Sequence, residues 1–236
     1  MSKPFETEIE TLLKRMSLEE KAGMLFHAMI EVGPEGQIVG SESFIGDTHE
    51  LVSEKLISHF NILEVPEPGL LASWHNEIQA MAKKTRLGIP ITISSDPRHS
   101  FSQNLGADFL AGHFSSWPQP IGFGAIGDAS VVSEYADIAR QEYLAVGIRV
   151  ALHPMADLAT EPRWSRTYGT FGEDAETAAK LVSAYIKGFQ GNEISAESVS
   201  CMTKHFPGGG PQKDGEDPHF SIGKEQVYPG NNFEHH

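Results

Sequence analysis

Residues 148–157 read IRVALHPMAD, residues 174–191 read DAETAAKLVSAYIKGFQG, and residues 198–206 read SVSCMTKHF. The first and third stretches are short apolar runs typical of buried strands, and the middle one has the pattern of a helix. A helix between two such strands predicts a βαβ unit, in which the strands pair in parallel. This part of the sequence therefore predicts an α/β fold.

The same alternation continues toward the amino terminus. Apolar runs at 59–65 and 89–96 are each followed by a stretch of helical pattern. Further upstream, Ser17 and Glu20 form the capping-box pattern that marks a helix start. Neither a repeat nor a low-complexity tract nor a linker divides the sequence, so we expect residues 1–236 to belong to one domain.

Charged residues lie at the carboxyl ends of the predicted strands. Asp96, Asp157 and the pair Lys204 and His205 each follow an apolar run. In a (β/α)8 barrel this end of the strands forms the face where ligands bind. Doubly wound sheets bind ligands at the same end, but no Gly-x-Gly-x-x-Gly turn directly follows an early predicted strand. We therefore expect an α/β fold of the (β/α)8 TIM-barrel type, of which this chain covers about five of the eight strands.

Composition argues against several classes of partner. The 236 residues include 18 Lys and Arg against 32 Asp and Glu, and the net charge of -14 would repel nucleic acid. No apolar run approaches the roughly 18 to 20 residues needed to cross a bilayer, and the amino terminus lacks the pattern of a signal peptide. We expect no nucleic-acid partner, no membrane contact and a cytoplasmic location.

The residues indicate neither a nucleotide nor a metal cofactor. The glycines at 208–210 are not followed by the Gly-Lys-Ser/Thr ending of a phosphate loop. The 11 histidines include no His-x-x-x-His pair, which would put two metal ligands on one helical face. The single cysteine, Cys201, cannot form an internal disulfide. We expect no cofactor and no metal site.

Four motifs resemble, in the order in which they occur, the amino-terminal catalytic barrel of family 3 glycoside hydrolases, near the bacterial β-glucosidase branch. They are ITISSDPRHSF at 91–101, PRWSRTYGTFGED at 162–174, KHFPGGGPQKDGEDPHF at 204–220 and GKEQVYPG at 223–230. The resemblance implies a retaining, exo-acting enzyme that releases a terminal β-linked sugar, in the first place glucose, from β-glucosides or short oligosaccharides. It leaves open a preference for xylosides and the formation of a homodimer.

The resemblance assigns the binding of the terminal sugar to Asp96, Arg166, Lys204 and His205. These groups suit a pyranose, because a carboxylate accepts from two neighbouring hydroxyls while cationic side chains donate to the others. A different interpretation makes Asp96 a turn or capping residue before Pro97. Lys204 and His205 would then be a solvated lysine and a loop histidine. The resemblance assigns no catalytic residue to this chain.

Two neighbours of Arg166 need separate interpretations. We expect Arg163 to tie its loop down through an ion pair with Glu161, Glu173 or Asp174. Trp164 could stack on a sugar face, but a tryptophan in an α/β domain more often belongs to the core.

Retaining hydrolysis needs a nucleophile and an acid/base about 5 to 5.5 Å apart. The resemblance implies that the nucleophile stands on a later barrel strand and that, in two-domain members, the acid/base comes from a second domain. We therefore expect residues 1–236 to form the amino-terminal part of the catalytic barrel and to be inactive alone.

Two alternatives remain open. A single-domain branch of the same family, which acts on N-acetylglucosaminides, takes its acid/base histidine from an Asp-Ser-His motif. Here Asp217, Pro218 and His219 stand in a similar place, and His219 would then be the acid/base. The chain could instead be a carbohydrate-binding protein that uses the same pocket without catalysis.

Overall fold

The computed structural model describes residues 5–104, 107–206 and 208–236. The chain divides into two compact units, residues 1–94 and residues 95–236. Each unit contains helices and parallel strand pairs. Within the described ranges, no helix has the length and apolar character that a membrane crossing requires.

The elements of the first unit are, in chain order, α1 (Glu6–Arg15), α2 (Leu18–Gly23), β1 (His27–Ile30), a π-helical turn (Glu50–Glu54), β2 (His59–Ile62), α3 (Pro68–Ala82) and the first three residues of β3 (Thr92–Ser95). Strand β2 pairs in parallel with both β1 and β3, so that His59 is the register partner of His27 and of Thr92. The alternation predicted upstream of residue 96 is confirmed.

Helix α2 begins at the predicted capping box. The Ser17 hydroxyl accepts a hydrogen bond from Glu20 N at 3.2 Å, and the Glu20 carboxylate accepts one from Ser17 N at 2.8 Å. Arg86 also holds Glu20, since its guanidinium donates to both carboxylate oxygens of Glu20. The sequence prediction for this helix start is confirmed.

The elements of the second unit are α4 (Pro120–Ile126), α5 (Ala129–Ala145), β4 (Ile148–Ala151), α6 (Ala175–Gln190) and β5 (Ser200–Cys201), followed by short 3-10 turns. Asp128 and Asp174 cap α5 and α6 with their carboxylates, which accept from backbone N–H groups of the first helical turn. Strands β4 and β5 pair in parallel, with Val150 opposite Ser200. The βαβ unit predicted between residues 148 and 206 is confirmed.

The predicted strands extended too far at their carboxyl ends. Strand β4 ends at Ala151 and β5 at Cys201, several residues before Asp157 and Lys204. Pro154 is one physical reason, because proline has no N–H to donate to a strand ladder. The charged residues therefore lie in irregular segments that follow the strands.

An aromatic core lies between β4 and the two long helices of the second unit. Tyr185 stacks on Phe189 with ring centroids 5.0 Å apart, and both rings meet the edge of His153. Gly188 brings α6 against α5: a Cβ on this residue would stand 2.4 Å from the Cβ of Ala136. The lack of a side chain at Gly188 therefore sets the distance between the two helices.

We expect Gly188→Ala to lower the free energy of unfolding by about 1 to 3 kcal/mol, which is the usual cost of overpacking a core. Helix propensity alone would favour alanine by about 1 kcal/mol, so the sign separates the two effects. Denaturant unfolding of the chain measures the change, with Ser183→Ala at an exposed position of the same helix as the control. An equal or higher stability of Gly188→Ala would contradict the close helix contact.

Candidate active site

Asp96 and Lys204 form the first of two side-chain pairs in the second unit. Lys204 Nζ lies 3.0 Å from Asp96 Oδ1, and the Asp96 side chain is 8% exposed. Two hydrogen bonds hold the main chain of Asp96. Its carbonyl oxygen accepts from the hydroxyls of Tyr143 at 3.1 Å and Ser95 at 2.8 Å. The carboxylate is thus a nearly buried group on a fixed backbone, beside a cation.

Backbone hydrogen bonds hold Lys204 beyond the end of β5. Lys204 N donates to Pro154 O at 3.1 Å, and Ala156 N donates to Lys204 O at 2.7 Å. Lys204 forms an isolated parallel bridge with Met155, and both Lys204 and His205 follow the end of β5 at Cys201. The alternation of side chains along a strand therefore does not apply to Lys204 and His205.

Arg166 and His205 form the second pair. Arg166 Nη1 lies 3.2 Å from His205 Nε2, and His205 Nδ1 lies 2.8 Å from Asp157 Oδ2. A guanidinium can only donate, so Nε2 is the acceptor and Nδ1 carries the proton that is donated to Asp157. Both ring nitrogens of His205 are therefore engaged by protein groups, and its contact with a ligand stays a prediction.

Arg166 is a buried cation with unused hydrogen-bonding capacity. The residue is 9% exposed, its Nη2 reaches only the Met155 sulfur at 3.7 Å, and its Nε has no partner among the described residues. In the part of the chain that the structure describes, no carboxylate forms an ion pair with it. Thioether sulfur is a weak acceptor, so the guanidinium retains donors for a ligand.

A cavity opens beside these pairs. The empty space between its wall atoms is about 550 Å³, a volume that counts open solvent at the mouth, and both Arg166 and Lys204 lie in its wall. Apolar and aromatic side chains form most of the remaining wall, with a few polar groups such as His99 and Asp108. Asp96 and His205 do not line this cavity, although each pairs with a residue that does.

The two neighbours of Arg166 behave as the sequence predicts. Arg163 forms an ion pair with Glu161 at 2.8 Å, one of its three expected partners, and approaches Asp214 at 3.5 Å. Trp164 is 1% exposed and belongs to the core. Its indole Nε1 donates to Asp217 Oδ2 at 3.3 Å.

Asp217 and His219 form a third hydrogen-bonded pair. His219 Nδ1 is 2.5 Å from Asp217 Oδ1, and the His219 side chain is 70% exposed. Burial acts to raise the pKa of Asp217, but hydrogen bonds from the backbone and ring of His219 lower it below the ordinary value. His219 is not among the residues that line the cavity beside Arg166.

Sequence reasoning missed two supports of the site. Asp157 was recognised as a charged strand-end residue, but its bond to His205 needs the folded chain. His99, three residues after Asp96, lies 2.7 Å from Glu142 Oε2 through its Nε2, and Ser115 donates to the same carboxylate. Burial acts to raise the pKa of Glu142, but these hydrogen bonds with His99 and Ser115 outweigh it and lower the pKa. The only signal for either residue was its place after a predicted strand.

Comparison with known proteins identifies similar chains. Residues 18–226 match the family model described as the glycosyl hydrolase family 3 N terminal domain. Beta-glucosidase C of Emericella nidulans is 50% identical over 233 residues, which cover 98% of this chain and 37% of that protein. The periplasmic beta-glucosidase/beta-xylosidase of Dickeya chrysanthemi is 42% identical over 228 residues, with 95% and 35% covered.

A solved structure shares the fold. It is a glycoside hydrolase family 3 beta-N-acetylglucosaminidase from Paenibacillus sp. str. FPU-7, with a TM-score of 0.65, 26% identity, and coverage of 86% of this chain and 35% of that one. The α/β fold predicted from the sequence is confirmed. The chain spans little more than a third of the length of the curated relatives first matched, between 36% and 37%.

We expect Glu142→Gln to lower the stability of the chain at neutral pH and to matter less in acid. Folding lowers the pKa of Glu142 below its ordinary value of 4.5. Such a group adds stability that is fully present above the unfolded pKa and is lost as the pH falls through the folded one. The unfolding free energies of the parent chain and of Glu142→Gln, measured at about pH 7 and about pH 3, test this pH dependence.

Glu134→Gln, at an exposed position of the same helix, is the matched control. A stability gap between Glu142→Gln and the parent that is equally large at both pH values would contradict the assignment of the lowered pKa to the His99 pair.

Proposed function

Because the chain belongs to glycosyl hydrolase family 3, we propose that its second unit carries the terminal-sugar pocket of an exo-acting β-glycosidase. The substrate would be a β-glucoside or short oligosaccharide, with glucose as the released sugar. One observation carries the proposal: Arg166 is a buried guanidinium without a carboxylate partner among the described residues, and it lies in the wall of a cavity. Buried polar groups without partners are rare unless a ligand or water completes them.

The Asp96–Lys204 pair supports the same proposal. A pyranose presents neighbouring hydroxyls, each of which can both donate and accept. Two neighbouring hydroxyls can donate to the Asp96 carboxylate and accept from Lys204 Nζ. Lys204 Nζ and Asp96 Oδ1 lie 3.0 Å apart. Arg166 would donate to a further hydroxyl, so the three charged groups together suit an uncharged polyol better than an anion.

The division of labour within the whole enzyme is also a proposal. Sugar binding by Asp96, Arg166, Lys204 and His205 does not by itself attack an anomeric carbon, since retaining hydrolysis needs a nucleophile and an acid/base. We propose that residues 1–236 form the amino-terminal part of the catalytic barrel and that both reacting groups lie outside them. The matched family model, which describes an N terminal domain, supports this, as does the greater length of the relatives.

Location and assembly stay predictions. The sequence favours the cytoplasm, whereas the relative from Dickeya chrysanthemi is named periplasmic. Cell fractionation decides between the two compartments. A homodimer stays a prediction that sedimentation would test.

We expect Arg166→Ala to weaken the binding of methyl β-glucoside about ten- to hundredfold, because a hydrogen bond from a charged donor contributes about 1.5 to 3 kcal/mol. Asp96→Ala should cause a loss of the same order. Titration calorimetry on the chain measures both.

Arg163→Ala is the matched control for the arginine substitution. Arg163 is 62% exposed and bonded within its own loop, so its removal should leave the affinity unchanged and change the stability little. Equal affinity losses in the two arginine variants would remove the basis for a pocket at Arg166.

A second candidate function rests on the Asp217–His219 contact of 2.5 Å. A carboxylate that orients a histidine is the arrangement expected of a histidine acid/base. In that case the chain would act as a β-N-acetylglucosaminidase, with His219 as the proton donor.

We expect the chain alone to hydrolyse neither an aryl β-glucoside nor an aryl N-acetyl-β-glucosaminide, because binding without a nucleophile does not lower this barrier. The assay compares the chain with His219→Ala under identical conditions. Hydrolysis of the glucosaminide that survives purification and disappears in His219→Ala would favour the second candidate over the first.

A further inference from the structure

We infer that Asp157 is a positioning residue of the sugar pocket, which holds the His205 ring so that Nε2 faces Arg166. This inference rests on the proposed function of Arg166. The Asp157 side chain is fully buried, with 0% exposure, and it does not line the cavity. Any effect of Asp157 on a ligand must therefore pass through other residues.

The Asp157 carboxylate accepts hydrogen bonds from His205 and from Gly209. Its Oδ2 accepts from the His205 ring at 2.8 Å and from His205 N at 3.3 Å. Its Oδ1 accepts from Gly209 N. Within the described residues no lysine or arginine forms an ion pair with this carboxylate. Its charge is therefore stabilised by N–H donors, and His205 supplies two of the three.

The carboxylate also selects the tautomer of His205. A carboxylate can only accept and a guanidinium can only donate, so a ring placed between Asp157 and Arg166 carries its proton on Nδ1. The opposite tautomer would direct an Nε2–H at an Arg166 N–H and a lone pair at a carboxylate. Both contacts would then be repulsive, and the ring would have to leave this position.

Arg166 depends on that tautomer for its own position. Its acceptors in the described part of the chain are His205 Nε2 at 3.2 Å and the weakly accepting Met155 sulfur at 3.7 Å. When Nε2 no longer accepts, the guanidinium loses its stronger protein contact. Asp157 thus controls, through His205, the cation that the proposed function assigns to the sugar.

The Asp157 carboxylate also helps to hold the glycine segment at 208–210, through its hydrogen bond from Gly209 N. Gly210 lies so close to the backbone of Leu158 that a Cβ on Gly210 would stand 1.7 Å from the Leu158 carbonyl oxygen. Together with the bond from Gly209 N to Asp157, this contact packs the glycine segment against the residues that follow β4. The glycines permit close approach of two backbones, and no phosphate is needed to explain them.

Nitrogen-15 NMR of the chain with labelled histidine tests the inference directly. Long-range nitrogen–proton correlations show which ring nitrogen is protonated, and His205→Gln assigns the signal by removing it. We expect a neutral His205 in the parent protein, with the proton on Nδ1. A proton on Nε2 in the parent would overturn the inference without any variant having to fold.

Asp157→Ala removes the charge and both acceptor oxygens. We expect it to lower the population of the Nδ1–H tautomer and to weaken methyl β-glucoside binding at least about tenfold, because Arg166 is no longer held. Asp214→Ala, at an exposed aspartate of the same unit, is the matched control and should change neither the tautomer nor the affinity. Unchanged tautomer and affinity in a folded Asp157→Ala protein would overturn the inference.

The tautomer of His205 and the affinity for methyl β-glucoside together separate this inference from the proposed function. Failure of the parent protein to bind any β-glucoside, with the Nδ1–H tautomer present in the parent and depleted in Asp157→Ala, would reject the sugar pocket and keep the positioning of His205 by Asp157. Sugar binding by a parent protein whose His205 is protonated on Nε2 would reject the positioning of His205 by Asp157 and keep the sugar pocket.

Discussion

Two backbone hydrogen bonds around Lys204 join the two segments from which the site is built. Lys204 N donates to Pro154 O, and Ala156 N donates to Lys204 O, after both strands have ended. This short continuation of parallel pairing aligns residues 155–157 with residues 204–205. Met155 and His205 consequently both reach Arg166, while Lys204 itself reaches Asp96. Disruption of this pairing would misalign the Asp96–Lys204 pair and the Asp157–His205–Arg166 contacts.

The four charged groups of the site are paired in two different ways, one by direct contact and one through a histidine. Asp96 and Lys204 form a conventional ion pair, whereas the Asp157 carboxylate and the Arg166 guanidinium stand on opposite sides of a neutral imidazole. Direct contact between a buried guanidinium and a buried carboxylate would satisfy both and leave little for a ligand. The intervening His205 keeps Arg166 in place without using up its donors.

The sequence predicted the parts of this protein that depend on local or periodic patterns. The alternation of apolar runs and helical segments identified β4, α6 and β5, and the Ser17–Glu20 spacing identified the start of α2. The ion pair of Arg163 was also accessible, because Glu161 is only two residues away. Strand ends were less accessible, since the end of a ladder depends on which partner segment runs beside it.

The pairing within the site lay beyond sequence reasoning for the same physical reason. Asp96 and Lys204 are 108 residues apart, and Asp157 and His205 are 48 apart, so neither contact leaves a periodic signal. The resemblance to a family supplied the four candidate residues, but it did not say which would touch. Asp157 was visible only as one more acid after a strand, because its importance arises from donors that converge on it in the folded chain.

The unused Nε of Arg166 has a consequence for the balance between folding and readiness to bind. A buried donor without an acceptor typically destabilises a fold by about 1 to 3 kcal/mol. An unbranched apolar side chain of similar length would avoid that penalty and pack against Met155 equally well. The native residue therefore keeps the second unit less stable than its backbone allows until a ligand or a water molecule supplies the missing acceptor.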